Sequence, residues 1–86
     1  MLTEYIEAAM RKAKYKYIGD EDGYFATIPR FKGLWANARS LRGCRKELRS
    51  VLEDWILISF HHQIRVPVVD GLNINPRRTR TRKKVA

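Results

Sequence analysis

The strongest constraint on this chain is the amphipathic helix pattern that follows Ser40. Leu41, Cys44, Leu48, Val51, Leu52, Trp55 and Ile56 recur at three- and four-residue intervals, which aligns them on one face of a helix over about residues 41–62. Ser40 offers an N-cap oxygen to its first turn. A helix of this length exceeds the usual three to four turns. Its stripe must be covered by the forty residues before it. Leu57, Ile58 and Phe60 lie beside that stripe, so the C-terminal half is apolar nearly all round. A chain of 86 residues has little left to bury it, and a second copy is the simplest cover, so a homodimer or higher homo-oligomer is expected.

The preceding residues change period. Tyr24, Ala26 and Ile28 alternate with Phe25 and Thr27, which predicts a strand ended by Pro29, a residue with no N–H to give a ladder. A second short strand is expected over residues 34–37, across a bend at Gly33. Residues 14–18, Lys-Tyr-Lys-Tyr-Ile, also alternate, and Asp20-Glu21-Asp22-Gly23 supplies the turn that makes the first two strands a hairpin. Upstream, Thr3 is positioned to cap a helix that runs to about residue 12. Leu2, Ile6, Ala9, Met10 and Ala13 form its apolar side. Residues 64–69 are β-branched with Pro67 among them, the signature of an edge strand. The expected fold class is therefore α+β, a small antiparallel sheet of three to four strands packed on one long helix, with an N-terminal helix. Its domain spans residues 1–75. Residues 76–86 form a basic tail, expected to be disordered because it has no apolar residue before Val85.

The sequence Asp-Gly-Tyr-Phe-Ala-Thr-Ile-Pro at residues 22–29, Gly33, one short strand, the Ser40 cap and a leucine-rich helix reaching Trp55 together resemble the HicB antitoxins of bacterial toxin–antitoxin pairs. The likeness extends outward to residues 2–10 and 66–71, so it covers about residues 1–71. One departure lies after the helix cap, where that family usually has an acidic, Ala-rich turn and this chain has Arg39, Arg42, Gly43, Arg45 and Lys46. The resemblance implies a partial RNase H-like fold and an antitoxin that sterically masks a HicA-type RNA-cleaving toxin. Many members of that family carry a C-terminal helix-turn-helix or ribbon-helix-helix. This chain has only its basic tail there, which offers phosphate contacts and no folded element to read bases.

Charge sharpens the alternative. Of a net +9, residues 1–75 contribute twelve Lys/Arg against nine acids, and Arg77, Arg78, Arg80, Arg82, Lys83 and Lys84 supply the rest. These six are the candidate nucleic-acid-binding residues, suited to non-specific DNA or RNA contact with steep salt dependence. The second reading is thus a small non-catalytic nucleic-acid-binding accessory protein that acts through this tail. With a single cysteine, no apolar run near the roughly 20 residues of a membrane span and no secretory h-region, the sequence points to a cytoplasmic protein.

Candidates for chemistry are few. Asp20, Glu21 and Asp22 lack the further oxygen ligands of a calcium loop. His61 and His62 are adjacent, about 100° apart on a helix, whereas paired ligands need a spacing of four. Cys44 and His61 lie on one predicted helix about 25 Å apart, too far to form a nucleophile and base. No catalytic residue, metal site or cofactor is expected, and the chain does not read as an enzyme. The aromatic residues are numerous for its size, and Tyr24, Phe25, Phe31, Trp35, Trp55 and Phe60 are the candidates for a toxin or oligomer interface. Base stacking on the sheet, interleaved with Lys14 and Lys16, is the competing reading, and it is opposed because a face covered by the helix cannot receive bases.

Overall fold

The structure is a computed structural model, and it describes residues 1–76. Helix α1 (Leu2–Arg11) is followed by strands β1 (Lys14–Tyr17), β2 (Tyr24–Thr27) and β3 (Trp35–Ala38), then by helix α2 (Leu41–His61). The strands form an antiparallel meander in the order β1-β2-β3, with Tyr15 opposite Ala26 and Ala26 opposite Ala36. The fold class is α+β, as the two periodicities require.

One face of the sheet is covered by α2. Along it the strands place small residues, Ala26 and Ala36, against fully buried Cys44 and Leu48. Small side chains let the helix backbone come close to the sheet, so that the Cys44 Sγ sits 3.8 Å from the Ala36 carbonyl oxygen and 3.5 Å from that of Tyr24. Ser40 caps α2 as its sequence position requires, its Oγ accepting the Gly43 N–H at 2.9 Å. Leu41 does not join the buried stripe and is 48% exposed. It occupies the first helical position, beyond the end of β3.

Helix α1 packs beside α2 and buries Tyr5, Ile6, Ala8, Ala9 and Met10 in the core. It begins at Leu2, earlier than a Thr3 cap would allow, and Thr3 lies inside the helix with no capping bond from its side chain. Tyr5 is fully buried, whereas Leu2 is exposed. The expected apolar face is therefore rotated toward Tyr5 and Ala8.

Residues 64–69 do not form a ladder strand. The backbone is extended, but only Val69 pairs, in an isolated bridge with Leu72 just across the Asp70-Gly71 turn. Side chains replace the ladder. The Tyr5 hydroxyl donates to the Pro67 carbonyl at 2.6 Å, and Arg30 Nη1 donates to the Val68 carbonyl at 2.9 Å. The Asn75 amide accepts from Val66 N–H at 2.7 Å and donates to Val66 C=O at 2.9 Å, taking both bonds a neighbouring strand would supply. Val66 and Val69 are thereby held in the core, with Leu72 and Ile74 packed on it.

Candidate partner-binding surface

Strand alternation and register divide the sheet residues into two sets. Tyr15, Tyr17, Tyr24, Ala26, Ala36 and Ala38 share the side of α2; Lys14, Lys16, Phe25, Thr27, Trp35 and Asn37 share the other. No described element covers the second face. On it Phe25 and Trp35, diagonal neighbours on β2 and β3, stack with ring centroids 5.7 Å apart and planes 24° from parallel. Trp35 is 54% exposed, an unusual position for so large an apolar group. The face ends at the acidic turn, where Asp20, Glu21 and Asp22 are exposed and Asn37 Nδ2 donates to the Asp22 carbonyl. Helix cover thus obstructs base stacking on one side of the sheet only, and Lys14 and Lys16 lie on the side that remains open.

The other aromatic candidates sit elsewhere. Phe31 is buried in the core between Tyr5 and Trp55, with centroids 6.4 and 5.0 Å away, so it is not a surface anchor. Trp55 is half-buried and donates its Nε1–H to the Lys32 carbonyl at 3.1 Å. Tyr24 is half-buried edge-on to Tyr17, and Phe60 half-buried against the core. Arg77, Arg78, Arg80, Arg82, Lys83 and Lys84 lie outside the described residues.

Two further surfaces emerge. Leu57, Ile58, Ile64 and Leu2 are each about half exposed or more, and a cleft of about 330 Å³ runs between the start of α1 and the second half of α2, floored by Ile6 and Ile56. This is the uncovered remainder of the all-round apolar helix. A larger cleft of about 520 Å³ lies between α1 and the first half of α2, lined by Glu7, Met10, Arg11, Arg42, Arg45, Lys46 and Arg49.

Groups with chemical potential are dispersed. His61 and His62 are exposed and edge-on to each other at the end of α2. Among the described residues no three His, Cys, Asp or Glu side chains gather to hold a metal ion. Burial pushes the Cys44 thiol up, opposed by a backbone hydrogen bond from Ala38, and the side chain is fully enclosed. Desolvation pushes the Tyr5 phenol up to about 12, with Arg30 acting in the opposite sense. None of the described helices is long and apolar enough to cross a membrane.

Tyr5, Arg30 and Asn75, which hold residues 66–68, were not singled out by periodicity. Each acts through a polar atom on an otherwise ordinary position, and no repeat marks it. Arg49 could have been found: with Arg42, Arg45 and Lys46 it completes a three-and-four spacing down one side of α2.

Comparison with known proteins agrees with this architecture. The crystal structure of TTHA0281 from Thermus thermophilus superposes with a TM-score of 0.82 and 36% sequence identity, over 90% of this chain and 95% of that one. No curated protein matches. A family model described as UPF0150-like matches residues 4–67, from α1 through α2 to the extended segment tied to Tyr5. The chain belongs to the UPF0150-like family, a family of small antitoxin-like proteins.

Proposed function

We propose that this protein is a HicB-type antitoxin that neutralises a HicA-type RNA-cleaving toxin by binding it, with the open face of the sheet as the docking surface. The observation that carries this reading is the stack of exposed Trp35 on half-buried Phe25, on a sheet face that no described element covers. Rigid aromatic pairs of this kind supply large contact area at small entropic cost and are enriched among the residues that dominate binding. Membership of a family of small antitoxin-like proteins supports a toxin as the partner. Charge agrees with the placement: a toxin that binds RNA presents a cationic face, and the three acids of the turn at residues 20–22 border this surface and outnumber its Lys14 and Lys16, whereas the cationic α1–α2 cleft would repel it. Inhibition is steric: the folded domain occupies the face with which the toxin would take RNA. The apolar cleft along Leu2 and Leu57 serves a second copy of the chain, making the antitoxin a homodimer in the cytoplasm.

The test is co-expression with the cognate toxin. Phe25→Ala and Trp35→Ala should each weaken binding by about 2 kcal/mol or more, the range of hot-spot residues, and restore growth arrest while the circular dichroism spectrum stays native. Full neutralisation by the folded double variant would refute this docking surface.

A further inference from the structure

The cleft between α1 and the first half of α2 is not used by the reading above. Its walls carry Arg11, Arg42, Arg45, Lys46 and Arg49 against one acid, Glu7. Ion pairing leaves most of this charge unspent. Arg11 lies 3.8 Å from Asp70 and Arg49 3.6 Å from Glu53, while Arg42, Arg45 and Lys46 have no carboxylate within 4.0 Å among the described residues. All five are exposed. Arg42, Arg45 and Lys46 also stand in the first two turns of a helix, where cations oppose the macrodipole, and the first turn contains no acid. Such an arrangement costs helix stability.

We propose that this cleft binds the phosphodiester backbone of a nucleic acid, independently of the C-terminal tail. Charge complementarity identifies the occupant. Arg42 and Arg49 are seven residues apart on α2, about 10.5 Å along the axis, a length over which one strand of a duplex presents about three phosphates. Four of the five cations are arginines, whose planar fork matches phosphate oxygens two at a time. The contacts reach the backbone and no base edges, so binding is indifferent to sequence.

The experiment uses the full chain, so that the tail is present in every variant and its contribution cancels. Fluorescence anisotropy with a 20-nucleotide RNA, and with a DNA duplex of matching sequence, is followed across salt concentrations for wild type, Arg42→Gln/Arg45→Gln and Arg42→Lys/Arg45→Lys. Loss of two phosphate contacts should weaken duplex binding by about 60-fold near 0.1 M salt and make the log–log slope less negative by about 1.8, or by about 1.4 for the single strand. The lysine pair should retain the slope. The glutamine pair should melt no lower than wild type, because two charges unfavourable to the helix dipole are gone. Unchanged affinity and slope in the glutamine pair would assign all binding to the tail and overturn the proposal. So would equal loss in the lysine pair, which would signal a disturbed fold, or displacement of the nucleic acid by poly-glutamate of equal charge at equal concentration, which would make the occupant an acidic protein. None of these outcomes bears on the Phe25–Trp35 surface.

Discussion

Gly23→Ala should be the most damaging single-methyl change in the turn between β1 and β2. The residue has φ +76°, and a Cβ added there would meet the Ala38 carbonyl oxygen at 2.2 Å and the Arg39 Cα at 2.5 Å. Both atoms are backbone at the point where β3 hands over to α2, so neither can rotate away. The left-handed conformation costs a side chain about 1–2 kcal/mol. Forcing the turn from β3 by about 1 Å adds about 1–3 kcal/mol of overpacking. It also strains the bonds from Ile18 N–H to Gly23 C=O and from Gly23 N–H to Gly19 C=O, 2.8 and 2.7 Å long. The total, about 2–5 kcal/mol, is a large part of the roughly 4–11 kcal/mol expected for a domain of this size, and lowers Tm by about 10–30 °C. Gly33 is the internal control. Its φ is also +76°, but a Cβ there meets nothing within 4 Å, so Gly33→Ala carries only the conformational cost. Urea unfolding of both variants, followed by circular dichroism, isolates the contact. Equal destabilisation of the two would show that the close approach of Gly23 to Ala38 contributes nothing.

Three other outcomes are expected. Tyr5 is held neutral in the fold, its pKa raised from 10.0 to about 12 by burial, so its contribution is intact below pH 10 and lost as pH climbs toward 12; urea midpoints should fall over that window, and less so in Tyr5→Phe, which itself loses about 1 kcal/mol with the bond to Pro67. An undiminished alkaline decline in Tyr5→Phe would contradict this. Cys44, fully enclosed and with its thiol pKa raised, should resist a thiol reagent in native buffer and react fully in urea; rapid native labelling would show that the helix–sheet contact opens readily. Sedimentation should show a dimer at micromolar concentration and a monomer for Leu57→Lys/Ile58→Lys, and a wild-type monomer would remove the second copy from the apolar cleft.

The legible parts of this fold are those written as a repeat. The α2 stripe, the Tyr24–Thr27 alternation and the Ser40 cap each impose a local geometry that tertiary packing had no reason to overturn. Residues 64–69 show what happens when composition is the only signal. β-Branched residues favour extended backbone, and the backbone is extended, but a strand also needs a free edge beside it. That segment lies by Tyr5, Arg30 and Asn75, whose polar atoms take the hydrogen bonds instead. Thr3 had the chemistry of a cap, but the helix begins one residue earlier, at Leu2, and buries Tyr5 and Ala8 in the core, with Tyr5 set against Phe31 and Pro67. The candidate surface divides in the same way. Alternation puts Phe25 and Trp35 outside once the helix takes the Ala26 side, whereas the burial of Phe31 depends on a loop whose path carries no periodic mark.

The two proposed surfaces lie on opposite sides of the sheet, and this separation makes a testable statement about their coupling. Phe25 and Trp35 face away from α2, while Arg42, Arg45 and Lys46 line a cleft on the helix side. A toxin on the first and a nucleic-acid strand in the second share no contacting residue, so each should leave the affinity of the other almost unchanged, because coupling requires a differential contact. Toxin affinity, measured with and without a saturating 20-nucleotide RNA, should therefore differ by less than about twofold, a coupling under about 0.4 kcal/mol. RNA binding to the toxin alone, measured in parallel, fixes the share of any weakening that arises on the toxin. Weakening by tenfold or more would mean that toxin and RNA compete for one surface. The cationic cleft, with no acidic partner for Arg42, Arg45 and Lys46 among the described residues, would then be the place where the toxin presents its own carboxylates.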